Sequence, residues 1–126
     1  MRRLLIIPAR GGSKRIKNKN IKKFLNKPII QYPLTSAKKS KLFNIIHVST
    51  EDKSIFKLVK KIGFGPDFFR EKKLGNNSVS INEVIKFVIK KYIETKKTFD
   101  EVWCIYPCSP LITEHDLKKI SIYFKK

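Results

Sequence analysis

Cysteine is nearly missing from this 126-residue sequence: Cys104 and Cys108 are the only two, too few for a disulfide framework. No second Cys/His pair lies near them, so two buried or half-buried thiols are expected rather than a zinc site. Long apolar runs are missing as well. A membrane-spanning helix needs about 18 consecutive apolar residues, whereas the stretch behind Arg2 and Arg3 is only Leu4 to Ile7 and stops at Pro8. That stretch is also too short for the core of a signal peptide. A soluble, cytoplasmic protein with no membrane partner is the plain expectation. There is no internal repeat and no low-complexity linker, and 41% apolar residues suit one core of ordinary single-domain size. His47 and His115 belong to no H-E-x-x-H motif and have no evident nucleophile partner, so no chemistry is assigned to them.

Negative charge is scarce too. Ten Asp and Glu stand against 29 Lys and Arg, leaving a formal net charge of +19. Such a balance suits nucleic acid, an anionic membrane surface or a polyanionic small substrate. Arg, the residue whose bidentate fork dedicated nucleic-acid binders favour, occurs only at Arg2, Arg3, Arg10, Arg15 and Arg70. The excess is Lys spread over nearly every segment, which reads mainly as solvated surface.

What is present alternates between strand and helix. Leu4 to Ile7 reads as a strand covered on both faces. A helix is expected from Ile29 to about Ser40, starting at Pro28, with Pro33 kinking or delaying it. "IIHVST" (Ile45 to Thr50) reads as a second strand. The helix after it carries Ile55, Leu58, Val59 and Ile62 on one face, Glu51 and Asp52 in its first turn and Gly63 at its end. "SINEVIKFVIKKYI" repeats Ile81, Val84, Ile85, Val88, Ile89, Tyr92 and Ile93 at three-and-four spacing behind a Ser80/Glu83 capping box. "EVWCIYP" (Glu101 to Pro107) is strand-like. Thr113 and Asp116 then open a last helix carrying Leu117, Ile120 and Phe124.

This alternation predicts an α/β fold, a mostly parallel sheet flanked by helices. Ligands bind such sheets beyond the carboxyl ends of the strands. The loops of interest are therefore Ala9 to Asn20, Cys108 to Thr113 and Glu71 to Ser80. In the first, Gly11 and Gly12 let backbone N–H groups approach a ligand closely. Arg10, Lys14, Arg15, Lys17 and Lys19 could neutralise a triphosphate. Neither G-x-G-x-x-G nor G-x-x-x-x-G-K-[ST] is present, and a Gly-Gly turn with a basic, solvated edge would look the same.

"IIPARGGSKRIKNKNIKKFLNKPII" closely resembles the N-terminal signature of the bacterial CMP-nonulosonic acid synthetases, the cytidylyltransferases that activate sialic, pseudaminic and legionaminic acids. "HVSTEDKSI", "FFREKKL", the capped helix and "CIYPCSPLITEHDL" follow in that family's order and approximate spacing, across essentially the whole chain. The resemblance implies a Rossmann-like nucleotidyltransferase fold. It also implies a reaction of CTP with the anomeric hydroxyl of a nine-carbon 2-keto sugar acid, assisted by Mg²⁺, that yields a CMP-sugar and pyrophosphate.

Residue by residue, it puts Ala9, Arg10, Gly11, Gly12, Ser13, Lys14, Lys19 and Asn20 on the nucleotide loop, with Arg10, Lys14 and Lys19 as the cations acting on the phosphates. Arg70 falls on a nucleotide-pocket arginine, although a surface ion pair with Glu71 or another carboxylate is its ordinary alternative. Ser80 lies near residues that approach the cytosine in relatives, but its capping role already accounts for it. Tyr106, Cys108, Ser109 and Pro110 match the substrate-side loop. Tyr106 fits the pseudaminic-type branch better than the sialic-type branch, and could equally be a strand-end aromatic. Three positions depart from the pattern: Asn77 where aspartate is common, Ile81 where a small hydroxylated residue often occurs, and Cys108 in place of threonine.

Residues 1–126 correspond to the N-terminal half of one such domain. The family's metal-binding aspartates and its homodimerisation element belong to the other half, so no Mg²⁺ ligand is expected here. The chain then reads as a fragment, an interrupted frame or a degraded copy. Three functions follow: a CMP-sugar synthetase or its nucleotide-binding half, pseudaminic acid being the favoured substrate; a non-catalytic nucleotide-binding remnant; and, least favoured, a basic nucleic-acid-binding module whose affinity falls steeply with salt.

Overall fold

Six consecutive buried residues, Arg3–Pro8, form β1, and burial on both faces is what a central parallel strand demands. The computed structural model describes residues 1–11, 19–75 and 79–124. Beyond β1, the chain runs through β2 (Lys23–Phe24), β3 (Lys27–Pro28), α1 (Gln31–Ser40), β4 (Ile45–Ser49), α2 (Lys53–Lys61), α3 (Ile81–Glu94), β5 (Glu101–Cys104) and α4 (Glu114–Phe124). The main sheet has the order β4-β1-β5 and both pairings are parallel, with Leu5 opposite Ile46 on one side and Trp103 on the other.

Because side chains alternate across a strand, β1 feeds two cores. Leu5, Ile7 and, just past its end, Ala9 meet Leu34 and Ala37 of α1, Ile55 and Val59 of α2, and Leu117 of α4. Leu4 and Ile6 point the other way, onto Val88 and Tyr92 of α3. The sheet is thus covered on both faces, as the alternation of elements predicts.

The helix ends follow side-chain chemistry. Asp52 is the N-cap of α2, its Oδ1 accepting from the amides of Ser54 and Ile55, an arrangement worth about 1 kcal/mol. Gly63, at φ +96°, takes the left-handed turn after α2. Ser80 caps α3 by accepting from Glu83 N at 3.3 Å. Thr113 and Asp116 cap α4 reciprocally, each side chain accepting from the other's amide, at 2.9 and 3.2 Å.

Several boundaries differ from expectation. The first helix begins at Gln31, because Pro28 is taken up by a small antiparallel ribbon, β2–β3. Leu25 and Asn26 turn that ribbon with φ of 48° and 72°. Pro33 sits in the first turn of α1, where an N–H has no helical partner to lose. Glu51 and Asp52 precede α2 rather than lying in its first turn. The third strand stops at Cys104, short of Pro107. Leu117 is fully buried, while Ile120 and Phe124 of the same helix are exposed. Among the described residues no helix is long and apolar enough to cross a membrane.

Candidate functional site

A cleft of about 300 Å³ opens beyond the carboxyl ends of β1 and β5, between the loops that follow them and the start of α3. Two kinds of side chain line it. Its lining combines the cations Arg10, Lys19 and Arg70 with the apolar side chains Leu74, Val79, Ile81 and Val84. Tyr106 and Cys108 close the side next to β5. A polyanion carrying a flat, weakly polar ring would find both of its halves matched here.

The backbone entering the cleft is held at three successive residues. Ala9 extends the sheet, its N–H donating to Ser49 O at 2.8 Å. The Arg10 carbonyl accepts from Asn20 Nδ2 at 2.8 Å, and the Asn20 side chain is buried. Gly11 N donates to Glu51 Oε1 at 2.5 Å. The other carboxylate oxygen, Glu51 Oε2, is buried and has no hydrogen-bond partner among the described residues. A Cβ on Gly11 would lie 2.1 Å from Asp52 Oδ2, so only glycine lets the loop pass this close to β4 and α2.

Arg70 is only 4% exposed and braces the cleft from below. Its Nε donates to Ser49 Oγ at 3.0 Å, Nη2 to Ser49 O at 2.8 Å and Nη1 to Leu74 O at 3.3 Å. Burial lowers the guanidinium pKa; the Glu51 carboxylate opposes that shift and the Arg10 charge reinforces it. The surface ion pair considered for Arg70 is not formed, because its side chain is buried, and Glu71 pairs with Lys73 at 3.2 Å instead.

The structure therefore brings Arg10, Lys19, Asn20, Arg70, Tyr106 and Cys108 to one cleft. Cys108 Sγ lies 3.9 Å from both Lys19 O and Asn20 Oδ1, so the two loops meet at this thiol. Ala9 is fully buried beneath the cleft. Gly12, Ser13 and Lys14, like Asn77, lie outside the described residues. Ser80 is occupied as the cap of α3 while its neighbours Val79 and Ile81 line the cleft. Ser109 turns to a separate apolar groove beside β5 with Trp103, Ile112 and Ile120, and Pro110 is half-buried in the same loop. The Gly11 amide, expected to face a ligand, is already used by Glu51, because the close approach of the two backbones brings that carboxylate within reach.

Sequence reasoning missed Glu51, which it read as a helix-dipole residue. It also missed a buried cluster behind the sheet. Tyr92 Oη donates to Asp67 Oδ2 at 2.9 Å and lies 2.9 Å from His47 Nδ1. A carboxylate only accepts and the hydroxyl has one proton, so His47 Nδ1–H donates to Tyr92 and Nε2 carries the lone pair. That Nε2 is buried without a partner among the described residues. Burial drives the His47 pKa down from 6.5 to about 4, with Asp67 pulling it up and Arg70 pushing it further down. Burial and the bond to Asp67 raise the Tyr92 pKa. Neither residue lines the cleft.

Residues 4–126 match the sequence profile of the cytidylyltransferases. A pseudaminic acid cytidylyltransferase of Campylobacter jejuni is 38% identical over 119 residues, which are 94% of this chain and 51% of that protein. A CMP-N,N'-diacetyllegionaminic acid synthase of Legionella pneumophila is 31% identical over 110 residues, 87% of this chain and 47% of that one. The solved structure of a CMP:2-keto-3-deoxy-manno-octonic acid synthetase complexed with CTP superposes with a TM-score of 0.80 at 21% identity, covering 99% of this chain and 48% of that one. The fold is accordingly the Rossmann-like nucleotidyltransferase fold. The chain spans about half the length of these relatives.

Proposed function

This chain belongs to the cytidylyltransferase family, and from that premise we propose that it forms the nucleotide-binding half of an enzyme that transfers CMP from CTP to a nine-carbon 2-keto sugar acid. In the reaction the anomeric oxygen of the sugar bonds to the α-phosphorus of CTP, the bond from that phosphorus to the bridging oxygen breaks, and pyrophosphate leaves. The hydroxyl proton passes to solvent or to a base outside these residues. The observation that carries the reading is the mixed lining of the cleft, in which Arg10, Lys19 and Arg70 stand together with Leu74, Val79, Ile81 and Val84. Cations held in place by a folded frame favour bound phosphates and the charge that develops on the leaving group. The apolar side chains give the cytosine a surface to lie on. Pseudaminic acid is the preferred sugar, supported by the 38% identity to cytidylyltransferases named for it. We assign Tyr106, at the mouth of the cleft, to the sugar side.

Mg²⁺ would supply further neutralisation of the triphosphate. Among the described residues no group of three or more His, Cys, Asp or Glu side chains is arranged to hold a metal ion, so these residues do not fit as its site. The roles assigned here are binding and orientation alone. The same observation favours a second reading, in which the 126 residues bind CTP and do not turn it over. The assembled enzyme would act in the cytoplasm, where CTP is available, and as a homodimer.

Calorimetric titration with CTP, ATP and duplex DNA tests the proposal. Binding of CTP, weaker binding of ATP and no salt-insensitive heat with DNA are expected, and Lys14→Ala should weaken CTP. Retention of DNA without any heat from CTP would defeat the reading. Pyrophosphate release with pseudaminic or sialic acid then separates an active enzyme from a binding half and identifies the sugar.

A further inference from the structure

We propose that Glu51 is a positioning residue for the nucleotide site: its carboxylate latches Gly11 onto the junction between β4 and α2, and so sets where the adjoining Arg10 stands in the cleft. The proposal rests on the nucleotide reading above and adds a residue to it. Three observations carry it. Glu51 Oε1 accepts from Gly11 N at 2.5 Å, across 40 positions of sequence. The Glu51 backbone is fixed because the next residue, Asp52, is locked as the N-cap of α2 by the amides of Ser54 and Ile55. Gly11 is also the position at which any side chain would strike Asp52, with a Cβ 2.1 Å from Oδ2. The bond and the missing Cβ act together. One draws the loop onto the helix start and the other permits the contact.

A carboxylate beside a phosphate site needs a reason to be there, since its charge repels the ligand. Here the neighbouring cations answer that repulsion: Glu51 lies close enough to Arg70 to raise its pKa, and Arg10 lies close enough to lower it. A charge-assisted bond to a backbone amide is roughly twice as strong as a neutral one. Asn20 holds the preceding carbonyl, that of Arg10, from the opposite side at 2.8 Å. The amide and carbonyl of the one Arg10–Gly11 peptide group are therefore clamped by side chains from two different segments, and the Gly11 amide serves the frame rather than the ligand.

Glu51→Ala, Glu51→Met and Glu51→Gln test this. Met fills the same space without an oxygen, and Gln keeps an acceptor without the charge. Glu51→Ala and Glu51→Met should weaken CTP about tenfold, the scale of one charge-assisted hydrogen bond. Glu51→Gln should recover affinity to within about threefold of wild type, a neutral bond being the weaker one. The amide proton shift of Gly11 reports the latch without nucleotide: it should move upfield in the Ala and Met variants and stay near its native value in Gln. A merely packing role would leave Met like wild type and would give Gln no advantage over Ala. Tighter CTP binding by all three variants would overturn the proposal, because Glu51 would then compete with phosphate for the amide. Equal binding by all forms would overturn it too. If wild type binds no CTP while the Gly11 shift still follows the acceptor, the nucleotide reading has failed and the latch is structural only.

Discussion

The guanidinium of Arg70 grips Ser49 twice, Nε donating to the hydroxyl at 3.0 Å and Nη2 to the backbone carbonyl at 2.8 Å. The end of β4 is thereby tied to the segment before α3, with the cleft above both. Arg70→Lys offers one point charge in place of a fork, so it cannot keep all three bonds, although the Ser49 carbonyl retains the Ala9 amide as a donor. A lost hydrogen bond from a charged donor costs about 1.5–3 kcal/mol. Urea unfolding should register that loss, and CTP titration should register about a tenfold weaker affinity. Ser49→Ala removes only the hydroxyl contact, so it should cost about 1 kcal/mol and leave CTP binding nearly intact. Equal effects of the two substitutions on CTP would remove Arg70 from the site.

Acid should destabilise the fold through His47. Its pKa is 6.5 as an unperturbed side chain and about 4 when folded, so between these values the unfolded chain takes up a proton that the folded chain refuses. Stability is then complete above pH 6.5, falls as the pH drops toward 4, and stops falling from this source below that. The whole loss is about 3 kcal/mol at 1.36 kcal/mol per pKa unit. Asp52, whose pKa is lowered chiefly by the Ser54 hydroxyl, loses its contribution only in still stronger acid. Denaturant midpoints at closely spaced pH values should show the slope, and His47→Gln should flatten it.

Tyr92 is the hub of that cluster, with His47, Phe68 and Phe99 around its ring and Asp67 on its hydroxyl. Tyr92→Phe keeps the edge-to-face packing and removes both hydrogen bonds. His47 Nδ1–H then joins Nε2 in having no partner, at a cost of about 1–3 kcal/mol. CTP affinity should be unchanged, because no member of the cluster lines the cleft. Thermal unfolding with and without CTP separates the two effects.

How much of this was legible depends on how far apart the causes lie in sequence. β1, α2, α3 and α4 are written locally: an apolar run, the 3.6-residue period, and the caps Ser80 and Thr113 a few positions from their partners. The two-residue strands of the β2–β3 ribbon are too short to carry a period, and only the positive φ of Leu25 and Asn26 reveals the turn. Arg70 was marked as a nucleotide-pocket residue by resemblance, yet its burial depends on Ser49, 21 positions away. Glu51 was invisible as a latch because its partner Gly11 comes 40 positions earlier. The helix-dipole account of an acidic residue before α2 was locally sufficient, so nothing in the sequence asked for another.

Asn20 offers the sharpest test of the cleft's frame. Its buried side chain donates through Nδ2 to the Arg10 carbonyl at 2.8 Å, and its Oδ1 faces Cys108 Sγ at 3.9 Å. One side chain thus spans from the nucleotide loop to the loop after β5. Asn20→Asp is nearly isosteric but cannot donate, so two oxygens would face each other where a bond had been. Repulsion should loosen the Arg10 carbonyl, and the new carboxylate sets a negative charge among the cations that line the cleft. CTP affinity is then expected to fall by about tenfold or more, the price of a buried acceptor left unpaired, while Asn20→Ser, which retains a hydroxyl donor, should fall less. Calorimetry at two salt concentrations distinguishes the causes. Charge repulsion fades with screening, whereas a misplaced loop does not, and a deficit that vanishes in high salt would show that Asn20 positions nothing.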